Sequence, residues 1–110
     1  MKKLILLMLL LTFTTISVFA NCVIRSKSGK YYWFEGLNCE RDFIIREGES
    51  CWNVASPPSP KNTITAIEVR NIENEDVLFV KVNGVWEEVS AVSSEFVLPS
   101  TEDCYETYSL

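Results

Sequence analysis

Histidine is missing from this chain of 110 residues. With it go the ordinary near-neutral proton shuttle, the Ser-His-Asp and Cys-His constellations, and most zinc hydrolase sites. Glycine is scarce as well. Gly29, Gly36, Gly48 and Gly84 stand alone as turn residues, so no glycine-rich loop can cradle a phosphate. No Asn-x-Ser/Thr acceptor occurs, and no stretch beyond the first twenty residues sustains a 3.6-residue apolar period for more than two turns. What remains for catalysis is carboxylate chemistry, such as an acid and base set apart for glycan hydrolysis. Glu87 and Glu88 are adjacent and would point to opposite faces of a strand. Glu73, Glu75 and Asp76, like Glu102, Asp103 and Glu106, fall in polar segments that read as solvated turns. The chain is therefore expected to be no enzyme, with no catalytic residues, no cofactor and no bound metal.

Apolar length is concentrated at the start. Met1-Lys2-Lys3 precedes an uncharged run from Leu4 to Leu11, and Val18-Phe19-Ala20 places small side chains three and one positions before Asn21. This is the pattern of a secretory signal peptide, with cleavage predicted after Ala20. Thr12, Thr14, Thr15 and Ser17 dilute the stretch too much for a membrane span. Residues 1–20 are read as a removed signal and 21–110 as one secreted or periplasmic β domain, with no stable membrane insertion after cleavage. Lys2 and Lys3 are two of the ten basic residues, so the remainder carries eight against fifteen acidic ones, a net charge of −7. Such a domain repels nucleic acid and anionic lipid, and suits a basic protein partner.

A domain of this size sits near the margin of stability and is helped by crosslinks. Cys22, Cys39, Cys51 and Cys104 are even in number, so in an oxidising compartment they are expected to pair as two disulfides. Three pairings are open. Segment lengths favour Cys22–Cys39, closing a hairpin-sized segment, with Cys51–Cys104 tying the carboxyl tail to the body. Cys51 beside Trp52 reads as a buried disulfide packed on an aromatic ring. Zinc is not expected, because no two cysteines lie within four residues and no histidine completes a mixed site.

Short strands are predicted at Lys30 to Phe34, Asp42 to Arg46 (Phe43 and Ile45 sharing a face), Ser50 to Val54, Ile64 to Arg70 and Glu95 to Leu98. Ala55 to Asn62 holds Pro57, Pro58 and Pro60 and reads as an irregular surface loop. Asn71 to Asp76 reads as an acidic turn, and Thr101 to Tyr108 as a polar tail anchored at Cys104. The clearest local signal is Val77 to Val89 around Asn83-Gly84, a two-residue hairpin turn that needs positive φ twice. Pairing about it sets Val82 opposite Val85, Val80 opposite Glu87 and Leu78 opposite Val89. Lys81 then faces Trp86, and Phe79 faces Glu88. The fold class is all-β: a small disulfide-stabilised antiparallel sandwich, with a five-stranded partly open barrel as the competing layout.

Phe34-Glu35-Gly36-Leu37-Asn38-Cys39, Phe43 to Gly48 and Ile64-Thr65-Ala66-Ile67-Glu68-Val69 follow one another like a hairpin start, a strand with its turn, and a closing strand. In this order they resemble the Greek-key unit of the βγ-crystallin-like group. The resemblance implies a crystallin-like Greek key over roughly residues 31–70, and a calcium motif falling on Lys61 to Ala66. Asn62 and Thr65 fit that motif; Lys61 and Ala66 depart from it, as Arg41 departs from the usual hairpin glycine. Independently, Asn71, Glu73, Asn74, Glu75 and Asp76 crowd oxygen ligands into six residues, at a spacing that matches no EF-hand loop.

The aromatics carry the functional hint. Tyr31, Tyr32, Trp33 and Phe34 are consecutive, and a strand sends alternate members to opposite faces, so two of the four cannot enter one core. Tyr31, Trp33 and Trp86 form the expected aromatic patch, and Pro57, Pro58, Ser59, Pro60 and Lys61 the expected binding loop, whose prolines lower the entropy lost on docking. The reading is a secreted, non-catalytic protein-binding module, of inhibitor or immunity type. Its alternatives are a structural or weakly calcium-binding crystallin-like domain and a carboxylate-based glycan hydrolase.

Overall fold

The computed structural model describes residues 21–58, 60–101 and 104–107, with the side chains of Pro60 and Lys61 outside the description. The segment read as a signal, residues 1–20, also lies outside it. Strand signals along the chain become β1 (Asn21–Arg25), β2 (Tyr31–Glu35), β3 (Phe43–Ile44), β4 (Ser50–Val54), β5 (Pro60–Ile72), β6 (Glu75–Val82), β7 (Val85–Val92) and β8 (Cys104–Thr107). A single-turn helix, α1 (Cys39–Asp42), follows β2. All pairings are antiparallel, and the eight strands form one sheet in the order β3-β7-β6-β5-β8-β2-β1-β4.

The sheet curls at β5. Its first residues pair with β8 and its later ones with β6, and the register slips between Ile64 and Ala66. Such a bulge bends the strand and strengthens its twist. The two halves thereby close on each other as a half-barrel sandwich, as the alternating strands predicted. Ile24, Tyr32 and Phe34 from one half meet Leu78, Val80 and Val89 from the other, all essentially inaccessible to water. Among the described residues, no helix is long and apolar enough to cross a membrane.

Two hairpins organise the second half. Asn83 (φ 53°) and Gly84 (φ 81°) take the left-handed pair expected of them, and Val82 faces Val85. Glu73 (φ 52°) and Asn74 (φ 67°) form a second two-residue turn, with Ile72 facing Glu75. The acidic segment is thus mostly strand rather than a six-residue turn. In the first hairpin the register slips between Leu78 and Phe79, so Leu78 lies opposite Ser90 instead of Val89.

Several expectations are corrected. The β3 strand stops at Ile44, leaving Ile45 41% exposed while Phe43 is buried. Glu95 to Leu98 is not a strand: Phe96 turns in against Phe43, with ring centroids 5.8 Å apart, and Val97 points out to water. The β5 strand reaches back to Pro60, because proline is tolerated as a first strand residue, so the loop is shorter than Ala55 to Asn62. The polar tail is a central strand: β8 lies between β5 and β2, and Cys104, Glu106 and Thr107 are buried.

The disulfide pairing also differs. Cys39 bonds Cys51, Cα to Cα 5.7 Å, while Cys22 is a buried thiol and the Cys104 thiol donates to the Ser100 carbonyl at 3.4 Å. Topology is the reason. Cys22 and Cys104 face the same β2 residue, Phe34, from opposite sides, and β2 keeps the two strands apart. The bond ties α1 to the edge strand β4 across a separation of twelve residues. Asn38 caps that helix by accepting the amides of Glu40 (2.9 Å) and Arg41 (3.0 Å), and buried Asp42 receives two hydrogen bonds from Arg41. Replacing both Cys39 and Cys51 by alanine is expected to lower stability by about 2 to 3 kcal/mol, from loop-closure entropy returned to the unfolded chain. Urea titrations of the double variant and of the wild type, with and without reductant, measure it. The reduced wild type should match the double variant.

Candidate binding site

Strand alternation places Cys22 and Ile24 of β1, and Tyr32 and Phe34 of β2, on the inner face. Val23, Tyr31 and Trp33 lie on the outer one. Register extends that outer face across neighbouring strands. Trp52 of β4 sits opposite Val23, Val23 opposite Trp33, and Trp33 opposite Tyr105 of β8. One row beyond, Tyr31 pairs with Thr107, and Thr107 with Pro60.

This geometry dictates the path of the proline segment. Val54 ends β4 beside Asn21, at one end of the strands, whereas Pro60 begins β5 beside Thr107, near the other end and with three strands in between. Ala55 to Pro58 must therefore cross the outer face as a strap. Of the segment read as a binding loop, Ser59 and the side chains of Pro60 and Lys61 lie outside the described residues. Between strap and sheet is a cavity of about 440 Å³. Tyr31 and Trp52 form its aromatic side, ring centroids 6.0 Å apart and planes within 14°. Pro57 and Pro58 face them, Val23 and Val54 add aliphatic surface, and Asn53, Ser56 and Thr107 supply its polar atoms. Among the described residues, no charged side chain lines it.

The structure thus joins two of the predicted features and separates a third. Tyr31 and Pro57–Pro58 converge. Trp33 is only 3% exposed, packed against Tyr105 at 5.5 Å, so it belongs to the body of the fold. Trp86 lies on the outer face of the other half, with the Arg70 guanidinium 4.9 Å from its ring centre and 4.2 Å from that of Phe79. Trp52 is the residue that sequence reasoning misplaced. Far from being buried on the disulfide, it is 45% exposed. Alternation contained the signal, because an inward Cys51 obliges Trp52 to point outward.

A second, polar cluster lies on the inner side. Tyr32 donates its hydroxyl to Glu87, Lys30 binds Glu87 at 2.5 Å and approaches Glu106 to 3.7 Å, and Asn62 donates to Glu106 at 3.2 Å. The pairing of Val80 with Glu87 did place this carboxylate at the rim of the core, but Lys30 and Glu106 come from remote segments. Burial alone would push the Glu87 carboxyl up. The hydrogen bonds from Lys30 and Tyr32, with the charge of Lys30, outweigh it and hold the group below its ordinary value. The hydrogen bond to Glu87 raises Lys30 in turn, and burial followed by that same carboxylate raises Tyr32. A carboxyl depressed in the folded state contributes stability that is present above its unfolded value, about 4.3, and is lost as pH falls through the folded one. Glu87→Gln is therefore expected to flatten the acid limb of the stability curve, as read by urea midpoints from neutral pH downward.

Several other acidic groups are engaged by neighbours. Arg46 binds buried Glu49 at 2.9 Å together with Glu75 and Glu88, and Asn71 donates to Asp76 at 3.1 Å. Glu102 and Asp103 lie outside the described residues. No protein-family model, curated protein or solved structure significantly matches this chain.

Proposed function

We propose that the protein is a secreted, non-catalytic protein-binding module whose recognition site is the cavity between Trp52, Tyr31 and the Pro57–Pro58 strap. The observation that carries this reading is Trp52. A large aromatic ring left 45% exposed, stacked on a second ring at the mouth of a cavity whose described lining is mainly apolar, has the composition of an interface anchor. The strap's prolines and the disulfide at Cys51 preorganise the cavity walls, which reduces the entropy lost on docking. The expected occupant is an apolar or aromatic side chain of a partner protein. The net negative charge of the domain would speed encounter with a basic partner in a salt-dependent way.

The test is capture from the source organism's extracellular or periplasmic extract with the oxidised protein, beside a Pro57→Ala, Pro58→Ala variant. One stoichiometric partner, retained by the native form and lost with the variant, supports the reading. Equal capture by both forms, or none by either, removes the strap cavity as the recognition site. A second reading, a crystallin-like structural domain, is favoured by one feature, the buried packing of Trp33 on Tyr105. It predicts no partner at all, and a stability raised by calcium.

A further inference from the structure

The sulfur atoms of Cys22, Cys39 and Cys51 all lie within 4.8 Å of one another. Strand register accounts for two of them. Cys22 sits opposite Asn53 and Ile24 opposite Cys51, so Cys22 and Cys51 are diagonal neighbours on the inner face of adjacent strands β1 and β4. The third is drawn in by Asn53, whose side chain accepts the Cys39 amide at 2.9 Å and docks the first residue of α1 in the same corner. A thiol, Cys22, is thus held against a disulfide, Cys39–Cys51, with both partners of the disulfide in range.

We propose that these three residues form an intramolecular thiol–disulfide exchange site, through which the protein interconverts between a Cys39–Cys51 isomer and a Cys22–Cys51 isomer. The Cys22 thiolate attacks the Cys51 sulfur, a bond forms between them, and the Cys39–Cys51 bond breaks. The electron pair departs on the Cys39 sulfur, which takes up the proton that Cys22 gave up. Nothing is oxidised or reduced overall, and no co-reactant is consumed. Cys51 is the sulfur attacked because it lies on β4, already paired with β1, as the diagonal neighbour of Cys22 on the same face, so the new bond draws together two strands that are adjacent at the outset. Cys39 is the leaving thiol because it belongs to a single-turn helix that can shift away.

The exchange matters for the cavity. In the Cys39–Cys51 isomer the bond holds α1 to the edge strand β4, immediately beside Trp52. In the other isomer β4 is tied to β1 and α1 is released, which changes what braces the strand carrying Trp52. Burial holds the Cys22 thiol protonated, Asp42 of α1 and Cys104 of β8 reinforce this, and Arg41 of α1 opposes it. The exchange is therefore slow at neutral pH and accelerates as pH rises.

Purified oxidised protein, incubated in mildly alkaline buffer without added thiol, is quenched in acid, unfolded, alkylated with a maleimide and mapped by peptide mass spectrometry. The expected result is label appearing on Cys39 together with a Cys22–Cys51 linked peptide, both growing with time and pH and both absent from Cys22→Ser. Cys104→Ser should leave the pattern unchanged; loss of the Cys39 label there means that Cys104 is the attacking thiol and overturns the three-sulfur site. As a check of reach, Cys39→Ser treated with glutathione disulfide should close Cys22–Cys51. A native chain in which Cys39 stays unlabelled at every time and pH overturns the exchange, whether or not Cys39→Ser closes the Cys22–Cys51 bond.

Discussion

Phe34→Ala is expected to lower stability by about 3 to 5 kcal/mol, as a large ring is deleted from a core that collapses only in part. Phe34 is fully buried on the inner face of β2, between Cys22 and Cys104 in register. Its ring lies 6.1 Å from that of Phe43, which in turn meets Phe96 at 5.8 Å. These three rings come from β2, β3 and the segment after β7, so their contact joins the two halves of the curled sheet. Small domains are stable by only about 5 to 15 kcal/mol in total, and the variant should sit close to unfolding at ordinary temperature. Urea titration measures the loss. A double-mutant cycle with Phe43→Ala should return a coupling of about 0.5 to 1.5 kcal/mol, the range of a tilted aromatic pair. A cost below about 1 kcal/mol for Phe34→Ala would mean that the halves do not pack through this ring.

Trp52→Ala is expected to weaken binding of the captured partner by about 2 to 4 kcal/mol, roughly 30- to 1,000-fold, the range of an aromatic hot spot. The same change should alter folding stability by about 1 kcal/mol or less, since the ring is half exposed and its stacking partner Tyr31 remains supported by β1 and β8. Isothermal titration with purified partner reads the first quantity and a urea midpoint the second. Tyr31→Ala should show the same split with a smaller loss, whereas Trp86→Ala, on the outer face of the other half, should leave affinity unchanged. Equal affinity of wild type and Trp52→Ala would move the recognition surface elsewhere on the domain.

Local chemistry was readable from the chain itself. Asn83-Gly84 announced its hairpin because few residue pairs accept positive φ twice. Consecutive aromatics in β2 announced rings divided between the two faces of a sheet, and the structure divides them accordingly, Tyr32 and Phe34 inward, Tyr31 and Trp33 outward. The second hairpin was harder to see. Glu73 and Asn74 are tolerated rather than favoured at positive φ, and the acidic charges around them resemble a solvated loop. Likewise Cys104 to Thr107 is too short and polar to read as a strand. It becomes one only because β2 and β5 offer unpaired backbone groups on either side of it.

Composition, alternation and turn residues by themselves determined an all-β, crosslinked domain with aromatics to spare and no histidine chemistry. Three matters were left to the tertiary structure: which cysteines meet, which aromatics share a surface, and what the proline segment crosses. All three depend on strand order, which brings together segments far apart in sequence. Cys51 reaches Cys39 because β4 lies at the sheet edge beside α1, and Tyr31 reaches Trp52 because only β1 separates their strands. The strap closes over both because three strands lie between the end of β4 and the start of β5. Pairing of this kind is a sum of many weak contacts over the whole sheet, and no window of sequence contains it.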